Sequence, residues 1–244
     1  MGALVVIPAR YGSVRFPGKP LAALRGVPVI QHVYERAAKA RRTDEVVVAT
    51  DDERIVEAVR GFGGEVVMTS RTARSGTERA AEVARSRTTQ VVVNVQGDEP
   101  LVHPDMVDQL VEHLERHGAV PMASLMTKLQ REEDLVNPNV VKVVVDRGGF
   151  ALYFSRAPIP FVREEQPSVT FKHLGMYGYQ RHFLLQFPHL EPTPLEQTEQ
   201  LEQLRALEHG YRIALLETSH DTVGVDTPED LRRVEELLMA VGKR

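Results

Sequence analysis

The chain of 244 residues contains no cysteine. That excludes a disulfide framework, thiolate-bound zinc, iron–sulfur ligation and a cysteine nucleophile. It has no basic surplus either. Lys and Arg number 30 against 34 Asp and Glu, a net charge of −4, whereas nonspecific nucleic-acid binding calls for a strongly basic chain. No run of 18 apolar residues occurs, so no transmembrane helix is predicted. The first residues, MGALVVIPAR, hold five consecutive apolar residues before Pro8, with no basic start and no small-residue cleavage site, so a secretory signal is not expected. The motifs GxSxG, HExxH and D-x-D are all missing. A nucleophile-elbow hydrolase, a zincin and a glycosyltransferase using D-x-D are thereby disfavoured. What remains is the expectation of a soluble, cytoplasmic globular protein. Its 42% apolar residues suffice for a core without staples, and its length fits one large domain.

Short β-branched runs recur at Leu4–Ile7, Val46–Ala49, Val66–Met68 and Val91–Val95. Their near-continuous apolar character predicts parallel strands covered on both faces. Amphipathic helices are predicted between them, at Val29–Ala40, Asp52–Phe62, Arg79–Arg85 behind a capping box from Ser75 to Glu78, and Pro104–Arg116. This rhythm implies right-handed βαβ units in an α/β, three-layer, Rossmann-like architecture with a mixed, mostly parallel sheet. After about residue 120 the rhythm changes. Strands are predicted at Val140–Val145, Ala151–Phe154, His173–Tyr179 and Arg212–Leu216, helices at Leu195–Glu208 and Pro228–Ala240, and a surface loop at Pro158–Pro167. The pattern reads as a single domain over residues 1–244, with an irregular region at about 150–210.

The most informative stretch is Ile7–Pro20, IPARYGSVRFPGKP. It follows the first strand directly. Gly12 and Gly18 permit tight turns, while Arg10, Arg15 and Lys19 supply positive charge. A glycine-containing loop at a strand's carboxyl end is where open α/β sheets bind phosphates. It is not a Walker A loop, because five residues separate the glycines and Pro20 follows the lysine. The sequence context suits Arg10 and Lys19 to stabilising phosphates and a departing pyrophosphate.

Two aspartates stand at predicted strand ends, Asp98 in QGDEP and Asp226 in GVDTP. Each has a purely structural reading, as a turn residue before Pro100 or as the start of the last helix. Together they also suit magnesium, which takes one or two carboxylates and completes its shell with phosphate and water. Arg74, Ser75, Gly76 and Arg79 either cap a helix or recognise a nucleotide. Gln96, just ahead of Asp98, is placed to reach a second substrate. Glu202 and Gln203, taken alone, read as ordinary helix surface. The remaining histidines show no metal-ligand spacing.

Further segments are VVVATDDERI from Val46, SGTERAAEVA from Ser75, VVVNVQGDEPL from Val91, NPNVVKVV from Asn137, ALYFSRAPIPF from Ala151, HLGMYGYQ from His173, PLEQTEQLEQLRAL from Pro194 and GVDTPEDLRRV from Gly224. With the Ile7–Pro20 loop they follow in order through nearly the whole chain. The sequence thereby resembles the 3-deoxy-manno-octulosonate (Kdo) cytidylyltransferases of the sugar nucleotidyltransferase superfamily. The resemblance implies a nucleotide-diphospho-sugar-transferase-type fold and transfer of CMP from CTP to the anomeric hydroxyl of Kdo, for lipopolysaccharide synthesis. It implies Mg2+ on Asp98 and Asp226, and nucleotide contacts from Pro8, Ala9, Arg10, Gly12, Ser13, Arg15, Lys19, Arg74, Ser75, Gly76 and Arg79. For the sugar acid it implies Gln96, Arg156, His173, Tyr177, Glu202 and Gln203. The rivals are a cytidylyltransferase for another acidic sugar, a glycosyltransferase, and a silent nucleotide-binding module.

The resemblance also favours a homodimer. Large apolar residues concentrate between Phe161 and Phe187, namely Phe161, Phe171, Leu174, Met176, Tyr177, Tyr179, Phe183, Leu184, Leu185 and Phe187. Left exposed, they would form an association surface. The alternative is that they pack on the chain's own sheet.

Overall fold

The computed structural model describes residues 2–13, 15–163 and 170–241. Chain order gives β1 (Ala3–Ala9), a 3-10 turn at Lys19–Leu21, β2 (Ala23–Leu24), β3 (Val27–Pro28), α1 (Val29–Ala37), β4 (Thr43–Thr50), α2 (Glu53–Gly61), β5 (Glu65–Met68), α3 (Gly76–Arg85), β6 (Val91–Asn94) and α4 (Pro104–Arg116). There follow β7 (Met122–Lys128), α5 (Glu132–Val136), β8 (Lys142–Val145), β9 (Ala151–Ser155), β10 (Phe171–Gln180) and α6 (Arg181–Gln186). A 3-10 turn at Phe187–His189 leads to α7 (Pro194–Glu199), α8 (Gln203–Glu208), β11 (Ile213–Glu217) and α9 (Pro228–Val241).

The main sheet runs β11-β7-β10-β6-β1-β4-β5, with β8 on β10 and β9 on β8. The pairs of β1 with β4 and β6, of β4 with β5 and of β7 with β11 are parallel, while β10 is antiparallel to both neighbours. Period-two alternation sorts side chains to two cores. On β1, Val5 and Ile7 join α1, α2 and α4 on one face, whereas Leu4 and Val6 join α3, α6 and α8 on the other. These are the three layers expected from the sequence.

Four local expectations are corrected. First, β5 is an edge strand whose Val66 and Val67 pack on the two opposite cores only half-buried, with Met68 44% exposed, so its covering is thinner than its apolar run implied. Second, Met122–Lys128 forms a central strand that composition did not announce, since MASLMTK has a single β-branched residue. Pairing on both edges, with β10 and β11, makes it a strand despite its weak local preference. Third, the helix expected over Leu195–Glu208 is two helices, because Gln200 takes a left-handed conformation at φ 54° and ends α7. Fourth, in the box at Ser75 the hydroxyl caps Glu78 N as expected, but the Glu78 carboxylate turns back to Arg74 N.

The apolar concentration from Phe161 to Phe187 is mostly not a surface. Leu174, Met176, Tyr179, Phe183, Leu184 and Phe187 lie in the chain's own cores. Phe161 is the exception at 88% exposed. The part of that region at 164–169 lies outside the described residues, as does the end of the expected loop Pro158–Pro167.

Candidate active site

Two clefts open along the carboxyl ends of the parallel strands, and Asp98 lines both. The first measures about 580 Å³ and is walled by Pro8 and Ala9 from the end of β1, Arg10, Lys19, the Arg74–Gly76 entrance to α3, Gln96, and Glu202 from across the break after α7. Close backbone approach shapes its floor. A Cβ on Gly97 would stand 2.7 Å from the Pro8 carbonyl oxygen, so the turn after β6 could not lie against β1 with any side chain there. Gly18 has φ 72°, which turns the chain back so that its N–H donates to the Tyr11 carbonyl, 2.9 Å away. That turn delivers Lys19 into the cleft. Gly12 and Ser13 lie in the same loop but line neither cleft; Ser13 Oγ accepts from Phe16 N.

Lys19 is turned inward, away from solvent. Its side chain is 12% exposed and its Nζ donates to Asp98 Oδ2 and, at 2.9 Å, to Asp226 Oδ1. Arg15 reaches the other oxygen of Asp226 at 2.9 Å. Burial alone would lower the Lys19 ammonium, but the two carboxylates outweigh it and hold the group above its ordinary value. Burial likewise opposes ionisation of Asp226, yet Lys19 and Arg15 bring it below the usual carboxylate range. Asp98 and Asp226 therefore meet at one ammonium nitrogen, from segments 128 positions apart in sequence (226 minus 98). Two hard oxygen donors converging beside the Ile7–Pro20 loop fit Mg2+, which needs further oxygens from substrate and water.

Arg74 and Ser75 stand at the α3 entrance as expected. Arg79 also lines the first cleft, but its guanidinium is engaged by Thr69 Oγ1 at 2.8 Å, the Ser70 carbonyl at 3.0 Å and Asp51 at 2.7 Å. It braces the wall. Arg10 is exposed at the mouth of the cleft.

The second cleft, about 510 Å³, is built by the antiparallel half of the sheet. His173, Leu174, Gly175 and Tyr177 come from β10, Gln203 from α8, and Lys172, Asp221, Thr222 and Asp226 close it. His173 is buried, and burial drives its imidazolium down to about 3, so the ring is neutral. The Ser124 hydroxyl lies within hydrogen-bond distance of the carbonyls of Leu174 and Met176, on either side of the β10 bulge. With that hydroxyl as donor to the carbonyls, His173 Nε2–H donates to Ser124 Oγ at 2.8 Å, leaving Nδ1 as an acceptor. Burial also raises the Tyr177 hydroxyl well above its ordinary value, so it too is neutral. Glu202 lines the first cleft, accepts from the Thr77 hydroxyl, and is pushed up by burial.

Arg156 is not free to grip a carboxylate in this arrangement. Its guanidinium donates to the carbonyls of Glu199 at 2.7 Å, Pro138 at 2.9 Å and Gln200 at 3.3 Å. The Glu199 and Gln200 carbonyls are those at the break after α7, and Pro138 lies in the loop before β8, so Arg156 ties the turn that presents Glu202 and Gln203 to that loop. Lys142, fully buried, similarly donates to the carbonyls of Asn137, Val140 and Arg156.

Residues that sequence reasoning missed include Glu99, Lys172 and Gln200. Glu99 was available from its place beside Asp98. Gln200 gave no signal, because a left-handed glutamine inside a helical pattern is not visible in the pattern. Spacing also hid a cluster of His103, Asp105 and His220, whose ligand atoms lie within 4.8 Å of one another and which lines neither cleft.

A mostly parallel α/β sheet with a cationic loop after its first strand, and two carboxylates sharing a lysine at the strand ends, defines a nucleotidyltransferase. A sequence model of the cytidylyltransferase family matches residues 4–213, and the chain belongs to that family. Among its relatives, the 3-deoxy-manno-octulosonate cytidylyltransferase of Geobacter sulfurreducens is 51% identical, covering 98% of this chain and 100% of that protein. The enzyme of the same name from Syntrophotalea carbinolica is 54% identical, covering 96% of this chain and 98% of its own. A solved structure of CMP:2-keto-3-deoxy-manno-octonic acid synthetase complexed with CTP superposes with a TM-score of 0.93 at 43% identity, covering 98% of this chain and 99% of that one.

Proposed function

We propose that the enzyme transfers CMP from CTP to the anomeric hydroxyl of 3-deoxy-manno-octulosonate, releasing pyrophosphate. CTP occupies the first cleft and the sugar acid the second. The observation that carries this reading is the Lys19–Asp98–Asp226 cluster at the junction of the two clefts, in a chain about half identical over its length to enzymes of that name.

The anomeric oxygen attacks the α-phosphorus, the bond to pyrophosphate breaks, and the hydroxyl proton leaves to solvent. No covalent enzyme intermediate is needed, so the protein's part is positioning and charge stabilisation. Lys19 meets the charge that grows on the phosphates as pyrophosphate departs, and Arg10 adds a second cation at the mouth. Pro17 and Pro20 flank the Gly18–Lys19 turn and limit the entropy lost on gripping a triphosphate. The Arg74–Gly76 entrance to α3, with Pro8 and Ala9, forms a slot suited to a pyrimidine. His173, Tyr177 and Gln203 in the second cleft offer hydrogen-bonding groups to sugar hydroxyls, and Gln96 and Glu202 offer theirs from the wall of the first cleft, where the two substrates meet.

Asp98 and Asp226 would hold Mg2+ in the working enzyme, with Lys19 moving from between them to the phosphates. Bound there, the ion would offset phosphate charge. The reaction is placed in the cytoplasm, where CTP is made. A homodimer belongs to the same proposal. With most of the Phe161–Phe187 residues buried internally, its surface would be the exposed Leu152, Phe161 and Val162. Light scattering at micromolar concentration checks this, and a monomer refutes it.

The test of function is pyrophosphate release from CTP with Mg2+ across a panel of sugar acids that includes Kdo and a sialic acid. Kdo should give the highest kcat/KM, and ATP should not replace CTP. Preference for another acid would reassign the second cleft, while equal turnover with ATP would overturn the nucleotide assignment.

A further inference from the structure

Among the described residues, two buried side-chain atoms in the second cleft have no hydrogen-bond partner: Glu99 Oε2 and Gln203 Nε2. One is an acceptor and the other a donor. A buried polar atom left unpaired is costly, which makes each a place where an incoming group gains a hydrogen bond without displacing an internal one. Gln203 is a residue the family resemblance already points to. Glu99 is not, and its chemistry adds something different.

The backbone fixes Glu99 firmly. Its N–H donates to the Gln96 carbonyl at 3.2 Å, and its own carbonyl accepts from Val102 N at 3.1 Å. The side chain faces the bulge of β10 at Gly175, where a Cβ would stand 3.7 Å from Glu99 Oε1. The other end of the chemistry is electrostatic. Arg15, Arg131, Lys172 and Arg233 also line this cleft. An anionic substrate entering it meets cations along part of the wall and a carboxyl group at Glu99. Asp98, Asp134, Asp221, Asp226 and Asp230 line the cleft as well and pair with several of those cations, so what distinguishes Glu99 is its unpaired Oε2, left to accept from a hydrogen-bond donor.

We propose that Glu99 is a specificity-determining residue that accepts a hydrogen bond from a sugar hydroxyl through Oε2, orienting the sugar acid with its carboxylate away from Asp98. This rests on the functional reading above. Glu99 acts on the acceptor substrate alone. It does not hold the metal and does not touch the nucleotide.

The experiment is steady-state kinetics of wild type, Glu99→Ala and Glu99→Gln with Kdo and with its monodeoxy analogues, at varied CTP and Mg2+. Glu99→Ala should raise KM for Kdo roughly 3- to 10-fold, the scale for losing one hydrogen bond. KM for CTP and the Mg2+ concentration for half activation should stay as in wild type. One monodeoxy analogue should be penalised by the wild type and not further penalised by Glu99→Ala, the non-additivity expected of a direct contact. Glu99→Gln keeps the shape and one acceptor oxygen, so it should recover part of the loss and carries the test if the alanine variant does not fold. An unchanged KM for Kdo in both variants would overturn the inference. So would a shift in the Mg2+ requirement, which would mean that Glu99 works through Asp98, or strictly additive losses with every analogue. Failure of the wild type to use Kdo would instead reject the functional reading.

Discussion

The two clefts share Asp98 but are built in opposite ways. The first is assembled at the ends of parallel strands from three compact segments, residues 8–20, 73–79 and 96–98, plus two residues from around the α7–α8 break. The second draws on the antiparallel strand β10, on α8, and on the loop between β11 and α9. Phosphate binding needs backbone N–H groups and cations that one loop can supply, so its determinants stay close in sequence. Reading a polyol needs side chains converging from several directions, and those come from distant segments. The difference predicts that substitutions in the first cleft act on turnover, and substitutions in the second on recognition of the sugar acid.

The largest expected effect is at Lys19. Lys19→Ala should lower kcat by about 10²–10³-fold, the range for loss of one preorganised stabilising donor, with a smaller rise in KM for CTP. Because Asp98 and Asp226 would then face each other without their shared cation, stability should also fall, by roughly 1 kcal/mol given their partial exposure. If Lys19 merely steers CTP, kcat will survive and KM for CTP will climb with salt. Measuring both constants at two ionic strengths separates the outcomes.

Arg156 gives the next effect and sharpens the contrast. Arg156→Ala removes the donors of three carbonyls at the α7–α8 break and in the Pro138 loop. Chemical unfolding should register a loss of about 1 kcal/mol, because two of these hydrogen bonds are exposed and one is half-buried, so water can replace most of the lost donors, and KM for the sugar acid should rise with it. A KM effect without any loss of stability would mean that Arg156 grips the sugar carboxylate directly.

An effect that develops only on acidification is the pH response of His173. Its folded pKa is driven to about 3 by burial, below the ordinary value of 6.5. Between those values the unfolded chain binds a proton that the folded chain refuses. Stability is therefore complete above about pH 6.5 and falls toward pH 3, by up to about 1.4 kcal/mol per unit for this group. Urea unfolding across that window should show His173→Gln with a shallower dependence than wild type. Equal slopes would mean that the histidine charges inside the fold.

Much of the first half was legible in the sequence for the same reason that the first cleft was. The β-branched runs at β1, β4 and β6 and the amphipathic helices between them carry their period locally, and the loop from Ile7 to Pro20 carries its chemistry in one stretch. The second half was not. Strand β7 owes its state to its neighbours, and the break at Gln200 is held by Arg156 from far along the chain. Resemblance named Glu202 and Gln203, but no pattern could place them at a cleft, because the helix that appeared continuous is two. The shared lysine between Asp98 and Asp226 was equally invisible, since each partner alone has an ordinary local explanation.

The division of labour between the clefts is tested most directly by hydrogen–deuterium exchange of the wild-type enzyme with Mg2+, first with CTP alone and then with the sugar acid alone. CTP should slow exchange in residues 8–19, 74–79, 96–98 and around 200–202 and leave 172–177 as they were, while the sugar acid should slow exchange at 172–177. Protection of 172–177 by CTP alone, with none at 74–79, would contradict the account.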